Sequence, residues 1–491
     1  MKVYNVAILG AGFGGLGMGV RLREQGDSDF VILEKASSVG GTWRDNTYPG
    51  AACDVRSHLY WPSFTERPEW SKTYCDQPEI LANIERLAET SGLTSHIRLN
   101  TEVVDAVWDD TRLLWRINTS SNEAIHARHF VSAWGQLNRP SYGGIDGRDR
   151  FSGPLFHSAR WRHDVPLGGR RVACVGVGPS AAQFIPEVAR QAGHLTVFQR
   201  SPNYVVPRLD RPYTAEEQRV FRAMPYRRDA SRQAIYEEHE SWHQAMRLNT
   251  AMAEGFTAMA RAQLESQVSD LVLREKLWPN YPIGCKRIVV ADDFYPALVR
   301  PNVTLETTDI SRIEATGIRT TDGALHECDV VIFGTGFETE SQIGVMDITG
   351  RAGRSLRETW QPLPEAYLGI NVSGFPNFHI LYGPNTNLGH NSVLLMMECQ
   401  IEYTLQAMAA VRAQGVPALD VKPAVVREFN RQLQEDLAGS SWAGSCSSWY
   451  KHAGGRITNN WPGSVEDYKR RTGRFDITEY EQIGVPAPTS I

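Results

Sequence analysis

Gly10-Ala11-Gly12-Phe13-Gly14-Gly15 decides the fold of this chain, because a second stretch repeats its pattern: Gly176-Val177-Gly178-Pro179-Ser180-Ala181. The apolar run Val6-Ala7-Ile8-Leu9 leads into the first turn, and Arg171-Val172-Ala173-Cys174-Val175 leads into the second. Such runs suit parallel strands buried on both faces. Strand, glycine turn and helix are the parts of a dinucleotide-binding βαβ unit. In the first unit Gly10 makes the tight turn, Gly12 admits a pyrophosphate to the backbone, and Gly15 lets helix and strand pack closely. The helix start then offers free N–H groups and a positive dipole end to phosphate. Two units predict two bound dinucleotides, and two dinucleotides predict electron transfer between them. The expected class is α/β, with two Rossmann-like dinucleotide-binding domains and a helical insertion.

The strand after each helix separates the two units. Phe30-Val31-Ile32-Leu33 ends at Glu34, whereas Leu195-Thr196-Val197-Phe198 ends at Arg200, and the spacing from Gly176 to Arg200 repeats that from Gly10 to Glu34. A carboxylate at the strand tip suits a free ribose hydroxyl, as in FAD. A guanidinium suits a 2′-phosphate, as in NADPH. Ser201 adds a hydroxyl for that phosphate. Residue type alone therefore assigns FAD to the first site and NADPH to the second.

The bulk properties narrow the rest. At 491 residues the chain is long enough for about three domains. A hydrophobic fraction of 42%, a charged fraction of 22% and a net charge of −5 with mixed signs describe a globular protein without a basic field for nucleic acid or an anionic membrane. No apolar run reaches the roughly 18–20 residues a membrane span needs. The first strand begins at Val3, which leaves no room for a secretory leader, so cytoplasmic residence is expected. Seven scattered cysteines without a CxxC pair read as reduced thiols.

Between the two glycine turns lies Phe151-Ser152-Gly153-Pro154-Leu155-Phe156-His157-Ser158-Ala159-Arg160-Trp161. Phe151, Gly153, His157 and Trp161 stand at the specified positions of F-x-G-x-x-x-H-x-x-x-W, and the stretch resembles the fingerprint of the type I Baeyer–Villiger monooxygenases. Arg162 follows the tryptophan, where that family more often has Pro or Asp. A second family pattern is matched by Gly40-Gly41-Thr42-Trp43, Tyr48-Pro49-Gly50 and Asp54. A third, G-x-K-R, is matched by Gly284-Cys285-Lys286-Arg287. The resemblance spans about residues 3–475.

The resemblance implies an enzyme that uses FAD, NADPH and O2 to convert a ketone into an ester or lactone through a peroxyflavin. The alternative is an N- or S-oxygenating flavin monooxygenase. It implies Arg287 as the catalytic cation, Asp54 as its partner, and Lys286 as a contact to the NADP phosphate. Around FAD it implies Thr42, Trp43, Asp54, Tyr60, Val103, Asn387 and Leu388, beside Gly10, Gly12, Gly15 and Glu34. Around NADP it implies Ala52, Cys53, Arg200, Ser201, Arg287 and Trp449. The helix start Val177, Gly178, Pro179, Ser180, Ala181, Ala182 and Gln183 completes that site. The resemblance implies that His157 couples domain arrangement to activity rather than doing chemistry; the alternative is a satisfied core histidine.

The expected division is 1–140 and 333–491 for the FAD-binding domain, 141–213 and 281–332 for the NADP-binding domain, and 214–280 for a helical insertion over the substrate pocket. The tail Val485-Pro486-Ala487-Pro488-Thr489 is expected to be disordered. His239-Glu240-Ser241-Trp242-His243 satisfies H-E-x-x-H, but Met246 and Asn249 stand where the extended zinc pattern needs Gly and His, so no metal is expected.

Overall fold

The computed structural model describes residues 2–338, 346–446, 448–452 and 454–484. The tail from Val485 onward lies outside the described residues. Val3–Leu9 runs parallel to Phe30–Leu33 on one side and to Ala124–Ser132 on the other. Leu114–Thr119 and Val103–Asp109 extend this sheet antiparallel. Two late strands return to it: Asp347–Thr349 pairs with Val103–Asp109, and Phe378–Ile380 pairs with the end of Ala124–Ser132. The first domain is thus made from both ends of the chain.

The middle of the chain builds a five-stranded sheet, ordered Val303–Glu306, His194–Phe198, Arg171–Val175, Val330–Phe333 and Leu155–His157. Every pairing in it is parallel. The fingerprint therefore supplies an edge strand, with His157 opposite Phe333. Val330–Phe333 runs into Gly334-Thr335-Gly336, the start of the crossing back to the first sheet.

The glycine turns are steric necessities. Gly10 has φ +96°, and a Cβ there would lie 2.6 Å from the Ala133 carbonyl oxygen. A Cβ on Gly15 would lie 1.8 Å from the Gly10 oxygen, so helix Phe13–Glu24 can reach its strand only without a side chain there. Packing then closes the cores: Val6, Ala7 and Ile8 are fully buried in the first domain, as are Ala181, Ala182, Phe184 and Ile185 on helix Pro179–Gln191 in the second.

Residues 214–280 form helices Ala215–Ala223, Pro225–Ser241, Ala251–Gln267 and Leu271–Leu277. They bridge both domains: Leu264, Val268 and Leu277 are buried in the core of the second, where Gln263 Nε2 donates to the Ala291 carbonyl at 2.6 Å, and Pro225–Ser241 is tied to the first. Arg232 Nη1 donates to the carbonyls of Leu59 at 2.9 Å and Trp61 at 2.7 Å, and Arg56 pairs with Glu238. Among the described residues no helix is long and apolar enough to cross a membrane.

One expectation from the sequence is overturned. Cys285 and Cys446 are joined by a disulfide, while Cys53, Cys75, Cys174, Cys328 and Cys399 are free thiols. The partners are 161 residues apart, so spacing carries no trace of the pairing.

Candidate active site

The first nucleotide site begins at a bare helix start. Gly12 caps helix Phe13–Glu24 with no side-chain hydrogen bond and no acid in the first turn. The first N–H groups are left for a phosphate. Glu34 is buried at the strand tip, where its carboxylate accepts from the N–H groups of Ala11 at 2.9 Å and Ala36 at 3.0 Å. Arg44 Nη1 lies 3.0 Å from the same carboxylate. Sequence reading passed over Arg44, although it stands inside the loop that carries Trp43. Burial opposes its charge, while Asp45 and Glu34 raise its pKa above the ordinary guanidinium value.

Trp43 sits on the short helix Thr42–Asp45, and its Nε1 donates to the Tyr60 hydroxyl at 3.2 Å. Tyr60 in turn packs edge-on against Phe13, one residue after Gly12. Trp43 and Tyr60 thus stand beside the first glycine turn, with Thr42 opening the short helix that carries Trp43. Val103 is buried at the start of its strand on the same sheet, next to a register shift.

The second helix start is also bare: Gly178 caps Pro179–Gln191 without a side-chain hydrogen bond. From this helix Gln183 reaches back to the first domain. Its Oε1 accepts from the Tyr48 hydroxyl at 2.9 Å, and its Nε2 donates to the Ala52 carbonyl at 2.9 Å. The loop bearing Ala52 and Cys53 is therefore clasped to the second nucleotide unit. Burial pushes the Tyr48 phenol up to about 12, so it remains a donor at neutral pH.

Asp54 and Arg287 meet across 233 residues of chain. One oxygen, Asp54 Oδ2, accepts from Arg287 Nε at 2.7 Å and lies 2.7 Å from Nη2 in the same ion pair. The pair is made through a single carboxylate oxygen and not as two parallel bonds. Both side chains are about a quarter exposed, at 28% and 24%. Asp54 holds the guanidinium well above its ordinary pKa, against the opposing effect of burial. Tyr450 and Tyr382 lie beside it; burial raises both phenols, and the Arg287 charge pulls them back. Neither tyrosine was visible as a site residue, because each is brought in by a distant loop.

Lys286 points the other way along the same turn and hydrogen-bonds the Ser201 hydroxyl. Burial and the neighbouring Arg200 both lower its pKa. Among the described residues neither Lys286 nor Arg200 forms an ion pair with a carboxylate. Two uncompensated cations and a hydroxyl at one strand tip make an anion site.

Asn387 and Leu388 are buried beyond the Tyr382-Gly383-Pro384 turn. The Tyr382 hydroxyl donates to Asn387 Oδ1 at 2.8 Å, and Asn387 Nδ2 donates to Asn460 Oδ1 at 2.7 Å. This network fixes the segment that precedes helix Val393–Gln414.

Other expected residues resolve differently. His157 is fully buried, its Nδ1 accepts from the Ala159 N–H at 3.1 Å, and its ring meets Tyr142 and Phe337 edge-on. Burial pushes it down to about 4, against the opposing pull of the Gly336 backbone. It stands at the crossing between domains, and its partners Ala159, Tyr142 and Phe337 do not include Arg287 or Asp54. Phe151 lies against Gly153, and Trp161 meets Phe156 edge-on and Phe184 at a tilt. Trp449 is 37% exposed rather than a core residue, with its ring 4.4 Å from that of Tyr450. In the H-E-x-x-H stretch, His239 stacks on Trp242, while Glu240 accepts from Asn391 Nδ2 and the Glu466 N–H. Among the described residues no group of three His, Cys, Asp or Glu side chains is placed to hold a metal.

Two bare dinucleotide turns, opposite charges at their strand tips and an anchored guanidinium between them define a two-nucleotide oxidoreductase. A family model described as pyridine nucleotide-disulphide oxidoreductase matches residues 7–244. A Baeyer–Villiger monooxygenase of Streptomyces coelicolor is 42% identical over 99% of this chain and 94% of its own length. Among solved structures, an oxidized steroid monooxygenase bound to NADP superposes with a TM-score of 0.85 at 32% identity, covering 96% of this chain and 97% of that one. OTEMO in complex with FAD and NADP superposes with a TM-score of 0.87 at 26% identity, covering 98% of this chain and 100% of that one. The chain belongs to the Baeyer–Villiger monooxygenase family.

Proposed function

We propose that this protein oxidises a small ketone to an ester or lactone, with NADPH as the donor, O2 as the oxygen source and FAD as the resident cofactor. The observation that carries the reading is the Arg287–Asp54 pair, anchored between two bare glycine turns whose strand tips differ in charge. The residues fit the two groups. The uncapped N–H groups after Gly12 and the buried Glu34 suit the pyrophosphate and ribose of FAD. Arg200, Ser201 and Lys286 suit the 2′-phosphate of NADPH, and the helix start at Gly178 suits its pyrophosphate.

FAD, when bound, supplies the activated oxygen. Arg287 stabilises the negative charge that develops as the ketone carbonyl becomes tetrahedral, because it is permanently charged and already oriented. Asp54 holds that orientation through one oxygen. Gln183 keeps the Ala52 loop against the second nucleotide unit, so the two sites stay in register. The strand order supports two nucleotide-binding domains, one built from both ends of the chain and one from its middle, with the helices of 214–280 between strands of the second. The reading includes cytoplasmic residence, which cell fractionation checks.

Product analysis tests it. Protein purified with its flavin is given NADPH, 18O2 and a panel of linear, cyclic, aryl and steroid ketones. The expected product is an ester or lactone carrying one labelled oxygen. Oxygenation confined to amines or sulfides would move the assignment to the alternative branch, and NADPH oxidation without any oxygenated product would refute it.

A further inference from the structure

The disulfide has no part in the chemistry above, yet it lies beside it. Cys285 is fully buried in the turn that ends in Lys286-Arg287, and its N–H donates to the Pro282 carbonyl at 3.1 Å. Cys446 is 8% exposed, three residues before Trp449 and four before Tyr450. The Cα atoms are 6.3 Å apart, inside the roughly 4.4–6.8 Å that a bridged pair takes up. The segments also pack on each other. A Cβ on Gly284 would meet Ser441 Cβ at 3.4 Å, and one on Gly444 would meet Pro282 Cγ at 3.4 Å. Tyr450 then stands fully buried beside Arg287. One covalent bond thus ties the segment carrying Trp449 and Tyr450 to the turn carrying the two cations.

We propose that Cys285 and Cys446 form a redox clamp on nucleotide exchange. Oxidised, the bond pins the Trp449–Tyr450 segment against the Lys286-Arg287 turn and slows NADP+ release. Reduced, the segment is held by packing alone and releases the nucleotide faster. Bonds of this kind that occur in reducing compartments are usually transient and redox-sensing. The less buried Cys446 is the first to react. Its thiolate attacks a hydroperoxide, taking one oxygen as a sulfenic acid and releasing water or alcohol. The Cys285 thiol then displaces the second oxygen as water, forming the S–S bond. In the sum two thiols lose two hydrogens and one hydroperoxide is reduced. A dithiol reverses the step by exchange, becoming a disulfide itself. The clamp rests on placing NADP at the Lys286 end.

The test uses the full-length flavin-loaded enzyme, treated either with hydrogen peroxide or with dithiothreitol. Non-reducing peptide mapping reads the bond, stopped-flow reads NADP+ release, and product analysis reads turnover. The peroxide-treated enzyme should yield the Cys285–Cys446 cross-linked peptide. Reduction should weaken NADP+ affinity about tenfold, a difference of about 1.4 kcal/mol. Cys446→Ser should release NADP+ like the reduced enzyme under both treatments. Absence of the cross-linked peptide after peroxide overturns the clamp, and so does equal NADP+ affinity in the two forms. The wild-type comparison decides the matter alone if the variant does not fold. Failure of the functional reading looks different: the cross-link forms, but neither redox form makes ester.

Discussion

Replacing Arg287 with alanine removes the cation that Asp54 holds ready between the two proposed nucleotide sites. A unit charge at hydrogen-bond distance, about 3 Å, contributes roughly 5 kcal/mol toward an oxyanion at an effective dielectric of about 20. Asp54 sits 2.7 Å behind the guanidinium and offsets part of that field. What remains is comparable to the roughly 2.7–4 kcal/mol lost when one preorganised oxyanion donor is deleted, about a hundred- to a thousand-fold in rate. The flavin site proposed above uses Gly12, Glu34 and Trp43 and not Arg287, so the variant should stay yellow. Its flavin should still be reduced by NADPH, because Arg200 and the Gly178 helix start remain. Ester formation, followed by gas chromatography under single-turnover conditions, should fall by that factor. Arg287→Lys keeps the charge but cannot fork onto Asp54 Oδ2, and should recover only a minor part of the rate. An Arg287→Ala enzyme that binds and reduces flavin normally, and makes ester within tenfold of the wild-type rate, would refute the role.

Three further outcomes are expected. Arg200→Ala should raise the KM for NADPH by about tenfold, the order of a charge-assisted hydrogen bond at an exposed site, and leave the KM for NADH unchanged; steady-state kinetics with both donors decides it. Gly15→Ala places a Cβ 1.8 Å from the Gly10 oxygen, so the purified protein should be colourless or insoluble, as absorbance near the flavin bands will report. His157 is held neutral by burial, with its pKa near 4 against an unfolded value of about 6.5. The unfolded chain therefore binds the extra proton first, and stability falls as pH drops from about 6.5 toward 4. The full loss is roughly 3 kcal/mol at about 1.36 kcal/mol per unit. His157→Gln should flatten the Tm-versus-pH curve across that window; an unchanged slope would show that the ring titrates freely.

The sequence by itself determined the two glycine-turn units and the opposite charges at their strand tips. Gly10, Gly12, Gly15 and Glu34 fall within 25 residues of one another, and so do Gly176 and Arg200, so strand, turn and tip are dictated by local sterics and charge. The same holds for the absence of the extended zinc pattern after His243. Tertiary structure decided everything that joins distant segments. Only the packing of the second sheet against the loop at 40–60 brings Arg287 onto Asp54, and brings Gln183 to Ala52 and Tyr48. Only the return of the chain places Tyr382 and Tyr450 beside the guanidinium, and Cys446 against Cys285. The physical reason is that a turn is fixed by the dihedral freedom of its own residues. A contact across 161 or 233 residues is fixed by which buried faces close on each other, and spacing along the chain carries no record of that.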